Sequence, residues 1–110
     1  MIINKTTGKR ISDGEMVCRT LLSQARGLMF RRKQNVLMIL PREKIVSLHM
    51  FFVFYPLDIL IINLHGRIVE IKQNLQPFAL WQARQRGKYV VEIAYHSSYQ
   101  VGDLVEMKDS

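Results

Sequence analysis

The residues of this chain that could carry chemistry are few, and they lie inside apolar segments. His49 and Asp58 sit in residues 47–63, which are otherwise almost entirely apolar, and Glu92 lies at the centre of residues 89–95. An imidazole and two carboxylates are groups that bind divalent metals or transfer protons. The sequence therefore contains one candidate catalytic or metal-binding set, provided that the three side chains meet in space.

Each of these residues also has a structural explanation. A histidine in an apolar strand is more often a packed core or edge residue than a ligand. Asp58 starts a buried strand, and a buried carboxylate must be paired, hydrogen-bonded or protonated. Arg26 and Arg31 are natural partners, because guanidinium matches carboxylate in a two-pronged geometry. We therefore expect a structural charge pair between Asp58 and Arg26 or Arg31.

Other kinds of site have weaker patterns. The chain has no HExxH motif or comparable compact metal signature, so we expect no metal and no cofactor. Ser97-Ser98 lacks the glycine-flanked elbow of hydrolases, and Ser47 has no obvious orienting acid. The only cysteine, Cys18, excludes an internal disulfide and is expected to be a buried small hydrophobe. Whether the protein is an enzyme therefore stays open.

The charge balance permits a second kind of function. Sixteen Lys and Arg against nine acids give a net charge of +7. Such a charge attracts phosphate backbones, but it also keeps a protein soluble. The basic residues are spread widely along the chain, which favours the role in solubility. A surface for single-stranded nucleic acid combines cations with aromatic rings that stack on bases. The candidates for it are Arg31, Arg32, Lys33, Arg84, Arg86, Lys88, Trp81 and Tyr89.

Length and composition indicate one ordinary globular domain. A chain of 110 residues with 48% hydrophobic residues buries roughly two-thirds of its unfolded surface, which is enough for one core. The first ten residues lack the apolar core of a signal peptide. The longest apolar run is interrupted by His49, Pro56 and Asp58 and is no membrane span. We expect a single domain over residues 1–110, located in the cytoplasm.

Short apolar segments bounded by turn residues predict a mostly β fold. His65-Gly66 between two such segments is typical of a hairpin, and Pro41 is expected to end the strand that starts at Val36. Residues 73–87 are the least regular stretch and are expected to fold over a sheet edge. A ligand cleft is expected there, near Trp81, Phe78 and Tyr89. Outside residues 15–29, the predicted strands are 2–3, 36–40, 49–54, 58–63, 67–72, 89–95 and 104–107.

Residues 15–29 permit two interpretations. Their apolar residues have helical spacing, which favours one helix from 15 to 29. Alternatively, residues 15–18 form a strand and a short helix covers residues 21–26. In that case Thr20 is the N-cap and Gly27 the C-cap, since glycine tolerates positive φ.

Six motifs of the chain, taken in order, resemble Domain of Unknown Function 192, a family of small archaeal and bacterial proteins. They are Arg26-Gly27-Leu28-Met29-Phe30-Arg31, His49-Met50-Phe51-Phe52, Pro56-Leu57-Asp58-Ile59, Gly66-Arg67-Ile68-Val69, Tyr89-Val90-Val91-Glu92-Ile93 and Gly102-Asp103. The His49-Met50 pair is similar to the archaeal branch. The resemblance implies a compact, mostly β domain with a short helix leading into Gly27, which favours the strand-then-helix interpretation. It implies no activity and assigns no functional residue.

The combined expectation is a β-sandwich or partly closed barrel, with mixed or antiparallel pairing and one short helix. The expected function is a small soluble, non-enzymatic binding or accessory domain for an unidentified ligand, with no prediction of oligomeric state. The alternatives are an enzyme or metal site that uses His49 with Asp58 or Glu92, and a nucleic-acid-binding module. Convergence of His49, Asp58 and Glu92 on one solvent-reachable pocket would favour the enzyme.

Overall fold

A computed structural model describes residues 1–19, 29 and 32–108. These residues form eight strands: β1 (Ile2–Asn4), β2 (Lys9–Ser12), β3 (Met16–Cys18), β4 (Val36–His49), β5 (Leu57–Ile62), β6 (Ile68–Leu75), β7 (Leu80–Ile93) and β8 (Val105–Met107). The prediction of a mostly β fold is confirmed. The described residues contain no helix, and so none that could cross a membrane. The short helix expected at residues 21–26, with Thr20 and Gly27, lies outside them.

The strands form two sheets. One has three strands in the order β2-β1-β8, and the other has five in the order β3-β4-β7-β5-β6. Every neighbouring pair is antiparallel except β3 and β4, which run parallel. The pairing is therefore mixed, and neither sheet of the described strands closes into a barrel.

The five-stranded sheet is buried on both faces. Side chains alternate between the faces along each strand, so neighbouring apolar residues enter different cores. The first core contains Val36, Met38, Val46, Ile59, Ile61, Ala83 and Val90. The second core joins this sheet to the three-stranded one and contains Ile2, Ile11, Leu37, Leu60, Val91 and Val105. This double burial explains the uninterrupted apolar sequence of β5, in which Ile59, Leu60, Ile61 and Ile62 are all 0% exposed.

The long strands β4 and β7 pair along their length, but their register shifts between Ile39 and Lys44 and again between Ile45 and Ser47. Pro41 lies inside the first irregularity, where the ladder does not require its missing N–H. The prediction that the strand ends at Pro41 is wrong for this reason. Beyond the irregularity, Val46 and Ala83 join the first core, so the outer half of this ribbon folds over that face.

Two further predictions of local structure are wrong, and one is confirmed. Residues 50–54 form a turn region where a strand was expected, because Met50 O accepts hydrogen bonds from the N–H groups of Val53 and Phe78. Residues 73–87 are mostly strand, because β6 continues to Leu75 and β7 begins at Leu80. The β5–β6 hairpin is confirmed, with Gly66 at φ 84° in its turn.

Candidate functional site

The structure does not bring His49, Asp58 and Glu92 together. His49 pairs with Leu80 at the start of β7, whereas Asp58 pairs with Ile93 at its end, so the length of that strand separates them. Glu92 pairs with Ile59 and therefore lies on the opposite face of the sheet from Asp58. The separation follows from register and from the alternation of side chains.

His49 occupies an exposed strand end. Its Nδ1 accepts a hydrogen bond from Phe51 N at 3.2 Å, and its ring stacks on that of Phe51 with centroids 5.1 Å apart. Within the described part of the chain, no group of three or more His, Cys, Asp and Glu residues could hold a metal ion.

Glu92 is a core carboxylate. It is 6% exposed, and its strand partners Val36 and Ile59 both belong to the first core. Burial raises the pKa of Glu92 to about 7. The pKa of the Tyr55 hydroxyl is raised by burial and, to a smaller extent, by the charge of Glu92.

Asp58 is the centre of a hydrogen-bonded cluster. Its Oδ1 accepts a bond from Asn74 N at 2.8 Å. Its Oδ2 lies 2.8 Å from His96 Nδ1 and also accepts a hydrogen bond from the Tyr99 hydroxyl. The Asp58 side chain is only 12% exposed, so these donors replace water. Arg26 and Arg31, its expected partners, lie outside the described residues.

The segment between β7 and β8 carries His96 and Tyr99. Tyr99 is buried in the second core, and its ring meets that of His96 edge-on with centroids 5.5 Å apart. The start of this segment is held by the side chain of Asn35, whose Oδ1 accepts hydrogen bonds from Ala94 N and Tyr95 N at 2.8 and 3.3 Å. The packing of Tyr99 therefore positions His96 against Asp58.

The protonation of the cluster follows from the ionisation of Asp58. Burial alone would raise the pKa of Asp58, but hydrogen bonds from Tyr99, Asn74 and His96 outweigh burial and lower that pKa. An ionised carboxylate only accepts, so Nδ1 of His96 carries the proton that it shares with Asp58. The second nitrogen, Nε2, is then a lone-pair acceptor in the neutral ring. Burial, together with the bond to Asp58, raises the pKa of Tyr99.

Asp58 and His96 line a cavity of about 340 Å³. Its remaining walls are the apolar residues Pro56, Leu57, Ile93 and Ala94, with Gln73 and Asn74. The His96 side chain is 73% exposed, so this imidazole stands at the open rim with the carboxylate behind it. Such an imidazole accepts a hydrogen bond from a ligand hydroxyl or amine, and it has the arrangement of a general base.

The three residues expected to line a cleft have different surroundings. Phe78 is exposed at φ 63°, and its ring meets those of Phe52 and Phe54 edge-on. Trp81 packs partly against the first core and lines a second cavity, whereas Tyr89 packs against the second core. Tyr89 and the neighbouring Val90 point to opposite faces of β7, so Tyr89 cannot join residues of the first core.

Sequence reasoning missed His96 and Tyr99. Neither residue was among the candidates drawn from the sequence. The sequence contained only an indirect signal, which is that a buried carboxylate at Asp58 requires hydrogen-bond donors. The sequence does not state which side chains supply them, since both lie far along the chain.

Known proteins provide the following comparisons. Residues 2–106 match the family model DUF192, described as an uncharacterized ACR. A UPF0127 protein of Thermococcus sibiricus is 27% identical over 96% of this chain and 73% of its own length. A UPF0127 protein of Pyrococcus horikoshii is 30% identical over 84% of this chain and 82% of its own length. A third, of Thermococcus kodakarensis, is 30% identical over 84% of this chain, which spans 60% of that relative.

Two solved structures share the fold. One is a Sinorhizobium meliloti protein provisionally named a transcription regulator, with a TM-score of 0.73 and 25% identity over 82% of this chain and 78% of that one. The other is a Novosphingobium aromaticivorans protein of unknown function, with a TM-score of 0.75 and 22% identity over 96% of this chain and 91% of that one. The second likeness concerns the fold alone.

Proposed function

Since this chain belongs to DUF192, a family described as uncharacterized, we propose a function from its own residues: it binds a small molecule in the cavity beside Asp58 and His96. The observation that carries this proposal is the imidazole of His96, which a carboxylate fixes at the rim of that cavity. The volume of about 340 Å³ lies in the range of small-molecule sites.

The chemistry of the walls indicates the type of ligand. Asp58 is already bound by three donors, and His96 Nε2 is an acceptor at the rim that a ligand can use. It selects a molecule with a hydroxyl or amine donor. The apolar walls at Pro56, Leu57 and Ala94 accommodate a hydrocarbon portion of the same molecule. We therefore infer a small, uncharged ligand with a hydroxyl or amine group on an apolar body.

Binding without chemical conversion accounts for the site most economically. Among the described residues, the lining contains one imidazole and one carboxylate, but no serine, cysteine or lysine that could act as a nucleophile. The carboxylate is committed to orienting the imidazole. The site therefore combines one acid–base group with a cavity of defined shape, and this arrangement suits the binding of a ligand.

The test is a fragment screen by nuclear magnetic resonance. A library of small alcohols and uncharged amines with apolar bodies is added to ¹⁵N-labelled protein. We expect saturable shifts of the Asn74, Ala94 and His96 amide signals, and a change at the His96 ring nitrogens. The ring signals also report the tautomer, which should have the proton on Nδ1.

A matched pair of variants controls the screen. His96→Ala should abolish the shifts, whereas His65→Ala changes another exposed turn histidine and should leave them intact. The proposal fails if no fragment shifts the cavity signals, or if binding to the His96→Ala protein equals binding to the His65→Ala protein.

A further inference from the structure

A second cavity, of about 390 Å³, lies between β6 and the first half of β7. It forms because the outer half of the β4–β7 ribbon folds over the sheet and approaches the edge strand β6. Glu70 Oε1 fixes this approach by accepting hydrogen bonds from Arg84 N at 2.7 Å and Gln85 N at 2.8 Å. The cavity is therefore held by hydrogen bonds between the backbone of β7 and the Glu70 side chain.

The cavity has a positive electrostatic character. Lys72 and Arg84 both line it, and Glu70 is the single acid in the described part of the lining. Two backbone N–H groups already donate to the Glu70 carboxylate, and the two cations outnumber this acid. No ion pair between described residues involves Lys72 or Arg84, so both cations remain available to an anion.

An aromatic ring adjoins these cations. Trp81 is half-buried, because one part of its side chain packs against the first core while another lines the cavity. An indole held in this way offers a stacking surface at low entropic cost. The side-chain amide of Gln85, also in the lining, can both donate and accept hydrogen bonds at the edge of a stacked base.

We propose that this second cavity binds a nucleotide. The base stacks on Trp81, and the phosphate lies between Lys72 and Arg84. The ring alone would bind any flat apolar molecule, and the cations alone would bind any anion. A nucleotide has both a flat base and an anionic phosphate, so the combination selects this ligand class. The nucleotide is either a free mononucleotide or one unit of a single-stranded nucleic acid, which present the same base and phosphate to the site.

Trp81 supplies its own probe, because it is the only tryptophan of the chain. Its emission is followed under tryptophan-selective excitation while AMP, adenosine, inorganic phosphate or a short single-stranded oligonucleotide is added. We expect saturable quenching by AMP. Adenosine lacks the phosphate contacts, so it should bind at least about tenfold more weakly than AMP. Inorganic phosphate alone should leave the emission unchanged.

The variants separate a built site from general attraction to a protein of charge +7. Lys72→Ala with Arg84→Ala should weaken AMP binding by about tenfold or more. Arg42→Ala with Lys44→Ala removes the same charge from exposed positions of β4 and should change it less than about twofold. All four positions are outside both cores, so circular dichroism should show folded proteins.

The oligonucleotide distinguishes the two sources of the ligand. Tighter binding of the oligonucleotide than of AMP, with a steep decrease as salt is added, assigns the site to a single strand. Equal or weaker binding assigns it to a free nucleotide. Absence of saturable quenching by both AMP and the oligonucleotide, or an equal loss in the two double variants, would overturn the proposal.

Discussion

At the scale of single residues, Asp58 and Glu92 illustrate how neighbouring carboxylates acquire opposite properties. They lie on adjacent strands, one register position apart, but on opposite faces of the sheet. The three donors around Asp58 lower its pKa in spite of burial, whereas burial raises the pKa of Glu92. The local supply of hydrogen-bond donors decides the direction of each shift.

The pKa of Glu92 predicts a specific pH dependence of stability. Its ordinary value is 4.5 and its value in the fold is about 7. Below pH 4.5 the group is protonated in both states. As the pH rises toward 7, the unfolded chain ionises first, so the free energy of unfolding falls by a total of about 3 kcal/mol.

Glu92→Gln should remove this contribution and flatten the decrease. The measurement is urea unfolding of both proteins at a series of pH values between 4 and 8. Glu106→Gln, at a partly exposed carboxylate, is the matched control and should keep the slope of the parent protein. A parent profile as flat as that of Glu92→Gln would contradict the prediction.

At the scale of elements, Gly87 permits the close approach of β7 to β5. It pairs with Lys44 at the point where the β4–β7 ladder resumes after its irregularity. A Cβ atom added at Gly87 would lie 2.6 Å from Cγ2 of Ile61, which is itself 0% exposed. The methyl group of Ile61 fills the space that a side chain would need.

Gly87→Ala should therefore destabilise the protein. We expect a loss of about 1–3 kcal/mol in the free energy of unfolding, because overpacking forces Ile61 or the backbone to move. Urea unfolding checks this, with Gln82→Ala at an exposed position of the same strand as the control. If the two variants have the same stability, the close packing is not what restricts this position.

At the scale of the whole molecule, a buried polar contact joins the first strand to the last loop. Asn4 Nδ2 donates to Asp103 Oδ2 at 2.7 Å, and both residues are buried. Asp103 Oδ2 also accepts Gln100 N at 2.8 Å, so this contact links β1 to the segment that carries His96 and Tyr99. The three-stranded sheet and the candidate site are therefore mechanically connected.

Asn4→Ala should leave Asp103 short of one donor and cost about 1–3 kcal/mol of stability. Hydrogen exchange locates the effect. Relative to the parent protein, the Asn4→Ala protein should show faster exchange of the β8 amides and a smaller change at the β5 amides. Lys9→Ala, at an exposed position of the neighbouring strand β2, is the control. Unchanged exchange in β8 of the Asn4→Ala protein would show that the contact does not hold β1 to the segment that precedes β8.

Sequence by itself determined the features that depend on neighbouring residues. The apolar run of β5, the hairpin at Gly66 and the short final strand follow from local composition and turn chemistry, and all three are present. The need of a buried Asp58 for hydrogen-bond donors follows from desolvation alone. These inferences require no knowledge of what the rest of the chain contacts.

Only the tertiary structure decided which residues meet. His96 and Tyr99 reach Asp58 from 38 and 41 residues away, and Arg84 approaches Glu70 because a ribbon bends over the sheet. Pro41 is tolerated in β4 because a register shift coincides with it. Such contacts depend on strand order, register and face, which many distant residues set together, and no local pattern encodes them.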